Sequence, residues 1–321
     1  MARLKRVNPD RDPGCTRVRR GSGFSYLRPS GARVSPRERA RIEALVIPPA
    51  WRDVWICANP RGHIQAVGTD EMGRRQYLYH PAWAERRGRG KYARALRLAE
   101  ALPAARAKVT AALSGDGIGR ERVLAAAFRL LDRAAPRVGS TRALAGRGVT
   151  TLLRGDATVE GDRVTLSFPG KGGKWQRLVI DDAALAEVIG ELARGEPRRR
   201  LFAFRRGRRR VPLRPRDVNA YITETAGSEF SAKDFRTLRG TTVAARALAD
   251  AKRGFDGRRP SRRKLAAAER DAVRAAAGAL GNTPAVARDA YIDPRVFARF
   301  RRGRVVEDGV SDETALRRLL S

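Results

Sequence analysis

The sequence predicts an α+β chain of two domains: a small antiparallel β-sheet domain, then a larger, mostly helical one carrying a small sheet of its own. Three observations lead there. Before residue 80 the apolar residues come in short runs, VWICA, HIQAVG and QYLYH, parted by the turn-forming NPRG and TDEMGR. From about Lys91 they recur three and four apart, the period of a helix. Between Thr150 and Ile180 the pattern returns to strands. At 321 residues, 42% of them apolar, the chain has material for two cores.

The elements follow in order. Residues 1–22, basic and broken by proline, are expected to be a flexible tail with no apolar signal core. FSYL is a first strand. In SPRERARIEAL, Ser35, Pro36 and Glu38 form the capping-box signature of a short helix, because Ser35 and Glu38 can satisfy each other's backbone N–H groups. The three runs that follow make an antiparallel meander and complete a β-rich domain over residues 23–87. GRG within PAWAERRGRGKY reads as a linker, since Gly and Arg bury little. The second domain spans residues 88–321. It opens with helices at YARALRLAEAL, ARAKVTAAL and ERVLAAAFRLLDRAA. DATVEGDR, VTLSF and WQRLVI then make a small three-stranded sheet, the last two runs joined by the Gly-rich tip PGKGGK. Ser231 with Asp234 starts a helix at KDFRTLRGTTVAARALA, and helical signals continue to the end.

Charge narrows the function. Lys and Arg number 68 against 34 Asp and Glu, a net +34, and a surface so positive seeks a polyanion. Nucleic acid is the leading partner, because each neutralised phosphate releases a condensed counterion. Only eight of the 68 are lysine, so coding bias contributes to the arginine excess without explaining the sign imbalance. Cys15 and Cys57 form neither a CxxC pair nor a disulfide framework, which fits a reducing cytoplasm. His63 and His80 could not build a zinc site alone, and no apolar run is long enough to span a bilayer. GKGGK lacks the spacing of a nucleotide-binding Walker loop, and no DxD-type carboxylate cluster gathers for metal ions. Phosphoryl transfer without cofactor is therefore the chemistry to weigh. It needs a side-chain nucleophile, cations for the extra phosphorane charge and an acid for the leaving alkoxide. Tyr291, in GNTPAVARDAYIDP, is the candidate nucleophile; a free phenol titrates near about 10, so positive neighbours must assist it.

RLLDRAAPRVG, GKGGK, KDFRTLRG and GNTPAVARDAYIDP occur in the order and character of the type IB DNA topoisomerases, in their small bacterial, poxvirus-like branch. The resemblance runs from about residue 23 to 300 and includes IPPAW and GHIQAVGTDEMGRRQYLYH in the first domain. It implies a β-rich DNA-clamp domain, a catalytic domain of the tyrosine-recombinase kind, and relaxation of supercoiled duplex DNA through a 3′-phosphotyrosyl intermediate. It also implies a monomer in the cytoplasm, on the nucleoid, that uses neither ATP nor metal and needs no cofactor.

Carried over residue by residue, Tyr291 resembles the nucleophile, and Arg137 and Arg236 the two arginines that grip the scissile phosphate. A guanidinium stays charged, and its planar fork matches two phosphate oxygens. Lys171 resembles the general acid, with Lys174 three residues on as its rival, and Lys233 assists. Asn282 stands where poxviral members carry histidine; it can donate a hydrogen bond but cannot shuttle a proton, and its ordinary reading is an N-cap to TPAVARDAY. Gln76, Tyr77 and Tyr79 resemble the strand that lies on the DNA major groove, although alternation also allows Tyr77 and Tyr79 to be a plain aromatic pair. After RVG the chain reads STRA, without the lysine and tyrosine that poxviral members use to read bases, so a strong sequence preference is not implied. A tyrosine recombinase is the nearest competing reading, but it would carry HxxR where this chain has KDFR, and a helical first domain. A non-enzymatic DNA-compacting protein would explain the charge alone.

Overall fold

The structure, a computed structural model, describes residues 3–139, 146–255 and 260–321, without the side chains at 87 and 89. The stretch STRA falls outside the described residues. The chain divides into two units, Met1–Gly90 and Lys91–Ser321.

In the first unit β1 (Gly14–Arg20) and β2 (Gly23–Leu27) form a hairpin, α1 (Pro36–Glu43) follows, and β3 (Arg52–Cys57), β4 (Ile64–Thr69) and β5 (Arg75–Tyr79) complete a sheet of order β2-β1-β3-β4-β5. Every pairing is antiparallel. The expected flexible tail is thus corrected: residues 14–20 are a strand near the middle of the sheet. The arginines of GCTRVRR hid it. Cys15 packs inward with Ile42, Val54 and Ile56, and Arg17, two residues on along the same face, donates to the carbonyls of Ile47, Pro48 and Trp51 at the rim of that core. Arginine satisfied in this way serves a strand as well as a polar residue does. The capping box at α1 forms as expected: Ser35 Oγ accepts from Glu38 N–H, and the Glu38 carboxylate accepts from Ser35 N–H.

The expected linker is also corrected. α2 (Pro81–Leu113) is one 33-residue helix that takes in GRG and continues past Pro103. In the second unit α3 (Arg120–Ala134) follows it. Next come β6 (Ala157–Glu160), β7 (Arg163–Pro169) and β8 (Trp175–Asp181), an antiparallel three-stranded sheet with β7 in the centre, covered by α4 (Ala183–Ala193). A second hairpin, β9 (Ala203–Arg206) with β10 (Arg209–Pro212), lies where only helix was expected; the run RRGRRR conceals it, and Gly207 at φ +59° makes its turn. The chain ends with α5 (Pro215–Ala226), α6 (Ala232–Arg253), α7 (Arg262–Leu280), α8 (Pro284–Tyr291), α9 (Arg295–Arg301) and α10 (Asp312–Leu320). Among the described residues the architecture is α+β with helices in the majority.

One core runs through this second unit, built on Leu98, Leu102, Phe128, Leu131, Leu166 and Leu185, all buried. Phe128 stands edge-on to both Phe235 and Tyr221, which fixes α3 against α6 and α5. That packing brings the C-terminus of α3, the first turns of α6 and the end of α7 to one place.

Candidate active site

Arg236 is the centre of that place. It lies in the second turn of α6 and is 4% exposed. Its guanidinium donates to the carbonyl of Ala135 (2.6 Å), past the end of α3, and to that of Leu280 (2.9 Å), the last residue of α7. Helix C-termini present unpaired carbonyls and partial negative charge, so two of them facing one arginine offset much of its desolvation. Burial still pushes Arg236 below its ordinary value, and the Tyr291 side chain works against that fall.

Tyr291 closes α8. The Arg236 guanidinium carbon lies 4.9 Å from the centre of its ring. Burial pushes the phenol up, but the charges of Arg236, Arg137 and Lys233 outweigh it and hold Tyr291 below the ordinary tyrosine range. Tyr92 makes the contrast. Equally a phenol, it is pushed up to about 12 by burial and by Asp293 and Asp289.

The Tyr291 backbone is clamped by α6. Thr241 Oγ1 lies 3.1 Å from the Tyr291 carbonyl and accepts from Asp293 N–H (3.1 Å). Gly240, one residue earlier, lets the helices touch: a Cβ there would come within 2.9 Å of the Tyr291 carbonyl oxygen. Thr241 and Gly240 escaped the sequence reading, since a Gly-Thr pair inside a helix is ordinary in composition.

Asn282 and Arg137 form a pair. Arg137 Nη2 donates to Asn282 Oδ1 at 2.7 Å, which assigns the amide oxygen to that side and turns the amino group the other way. Asn282 Nδ2 and Arg236 Nε are both buried and have no hydrogen-bond partner among the described residues. Two orphaned donors in one site are unusual, because an unpaired buried polar group costs about 1–3 kcal/mol. The expected N-cap role of Asn282 is corrected: Thr283 caps α8, its hydroxyl accepting from Val286 N–H. Gly281 ends α7 in the left-handed region (φ +59°), and that turn presents Asn282 beside Arg137.

Lys171 begins the tip between β7 and β8 and lines a small pocket together with Arg137, Arg236, Gln176 and Gly281. Lys174 is not among the pocket's lining residues. The tip is tied down, Arg147 N–H donating to the Pro169 carbonyl at 2.7 Å. Lys233, exposed in the first turn of α6, adds its charge to Tyr291. One cation near Tyr291 was missed from sequence: Lys91, at the start of the second unit, donates to the Asp289 carbonyl (3.0 Å), and burial and Lys233 both push it down. The only signal was its rarity, a lysine in a chain that otherwise uses arginine.

In the first unit Tyr77 and Tyr79 are parallel on the edge strand β5, rings stacked with centroids 6.1 Å apart and well exposed. Gln76 lies on the opposite face, its amide donating to Asp70 Oδ2 at 2.8 Å. The three residues expected to act together are therefore divided between two faces of the strand.

The family described as "Bacterial DNA topoisomerase IB, N-terminal domain" matches residues 23–70, and that described as "Eukaryotic DNA topoisomerase I, catalytic core" matches residues 81–300. The DNA topoisomerase 1B of Acanthamoeba polyphaga mimivirus is 29% identical over 294 residues, which is 87% of this chain and 85% of the viral protein.

Proposed function

This chain belongs to the type IB DNA topoisomerases, isomerases that act on DNA, and on that premise we propose that it relaxes supercoiled duplex DNA through a 3′-phosphotyrosyl intermediate, as a monomer, without ATP or metal. The observation that carries the reading is the meeting of Arg236, Arg137 and Tyr291 around two unpaired donors, Arg236 Nε and Asn282 Nδ2. Phosphate oxygens would satisfy both donors. Arg236 and Arg137 would then neutralise the charge that builds on the pentavalent phosphorus, the largest electrostatic demand of the step.

The Tyr291 phenol gives up its proton to water, and its oxygen bonds to phosphorus as the bond to the 5′-oxygen breaks. Lys171 gives its proton to that oxygen, which leaves as a hydroxyl. The cut strand turns about the intact one, the 5′-hydroxyl attacks back, and Tyr291 departs. The phosphotyrosyl bond conserves the energy of the cleaved linkage, so no nucleotide enters the balance. Tyr291 is only 7% exposed, so seating the phosphate must uncover its hydroxyl.

Supercoiled plasmid in EDTA without nucleotide should relax under the unaltered protein and stay supercoiled under Tyr291→Phe, while both bind DNA equally. A Tyr291→Phe protein that still relaxes plasmid would end the proposal.

A further inference from the structure

Gln176 has no part in the chemistry above, yet it occupies the same pocket as Lys171, Arg137 and Arg236. It lies on β8, paired with Phe168 on β7 immediately behind the Lys171 tip. Its side chain passes between two backbones. On one side a Cβ at Gly170 would come within 2.7 Å of Gln176 Cγ, with Lys171 next in the chain. On the other, a Cβ at Gly281 would fall 1.8 Å from Gln176 Oε1 and 2.2 Å from Cδ and Nε2, with Asn282 next in the chain. The amide therefore lies flat over the Gly281 backbone, in space that any other residue would fill. Its amide makes no hydrogen bond to another described residue, so the contact is one of shape.

We propose that Gln176 is a positioning residue: seated on Gly281, it docks the β7–β8 tip against the end of α7 and so delivers Lys171 to the phosphate that Asn282 and the arginines hold. The proposal rests on the reading of Lys171 as the general acid. A mobile tip would leave Lys171 searching a solvent volume, whereas the docked tip confines it beside Arg137 and Arg236. Positioning of that kind is worth orders of magnitude in rate when it serves one proton transfer.

The discriminating substrate is a DNA whose scissile 5′-oxygen is replaced by sulfur. A thiolate, conjugate to a thiol that titrates near about 8.5, leaves without being protonated, so a defect in delivering the acid disappears while any other defect persists. Under single-turnover conditions Gln176→Ala is expected to cleave the ordinary diester roughly ten- to a hundredfold slower and the sulfur diester within about threefold of the unaltered enzyme, with DNA affinity unchanged. Gln176→Met, which keeps the length and the packing on Gly281, should keep most of the rate on both. An equal loss on the two substrates, no loss on either, or a loss confined to binding would overturn the proposal. Lys171→Ala separates it from the reading beneath: failure of sulfur to rescue that variant removes Lys171 as the acid and this proposal with it. Rescue of Lys171→Ala without rescue of Gln176→Ala removes Gln176 alone.

Discussion

Tyr291 and Tyr92 show how far one residue type can be driven apart within a single unit. Tyr291 is buried and Tyr92 half-buried, and burial raises both. Three cations reverse the sign at Tyr291, while two carboxylates add to it at Tyr92. A consequence follows for pH. The ionised form of Tyr291 is reached more easily in the folded protein than in a free tyrosine, so its titration should be centred below the ordinary tyrosine range near about pH 10. Single-turnover cleavage is expected to rise with pH and level off below that point. Arg236→Gln removes the largest cationic contribution and should move the levelling upward while cutting the plateau rate about 10²- to 10³-fold. Tyr92→Phe should leave the profile where it was. A profile that does not move in Arg236→Gln would show that Arg236 does not tune the phenol.

At the scale of elements, α6 both supplies Arg236 and fixes Tyr291, which it can do only by close approach to α8. Gly240→Ala tests that contact. The added methyl would meet the Tyr291 carbonyl oxygen at 2.9 Å and its Cβ at 3.0 Å, so α8 must shift. Overpacking of this size costs about 1–3 kcal/mol, and the expected outcome is a folded protein with a lowered melting temperature and little covalent adduct on labelled DNA. Full adduct formation would mean that the Tyr291 backbone has slack.

In the first unit α1 offers a separate test. Hydrogen bonding to Arg28, then to the Ser35 backbone and side chain, holds the Glu38 carboxyl down at about 2, below its ordinary 4.5. A carboxyl depressed on folding lends stability that is complete above its unfolded value and lost as pH falls through the folded one. Melting temperature should therefore decline between pH 4.5 and 2, and less so in Glu38→Gln. Equal declines would show that the α1 cap contributes nothing to acid sensitivity.

For the molecule as a whole the governing quantity is +34. Many of the arginines are engaged with carboxylates, as in the forks Arg106–Asp132, Arg301–Glu269 and Arg295–Asp293, but 34 acidic residues cannot neutralise the charge of 68 basic ones. Binding should then be dominated by counterion release and fall steeply with salt. Plasmid relaxation is expected to quicken with moderate salt as product release is eased, then to slow as binding fails. A rate unchanged from low to high ionic strength would refute that account. No described helix is long and apolar enough to cross a membrane.

Local rules carried much of this protein from sequence alone. The α+β character, the meander β3–β5, the three-stranded sheet with its lysine-bearing tip and the α1 capping box are patterns of a few neighbouring residues, and short-range sterics and hydrogen bonding fix them. Local rules also misled where arginine was abundant, because its long stem packs and its head finds carbonyls; β1 and the β9–β10 hairpin were hidden for that reason, and the two glycines of GRG hid its helical course. The motifs named Arg137, Lys171, Arg236, Asn282 and Tyr291 individually. Only the tertiary structure could decide that two helix C-termini face Arg236, that Arg137 turns Asn282, that Thr283 rather than Asn282 caps α8, that Gln76 faces away from Tyr77 and Tyr79, and that Gln176 lies on Gly281. Those contacts join residues up to 145 positions apart, and no pattern within a window of sequence encodes a distance between segments that meet only when the core packs.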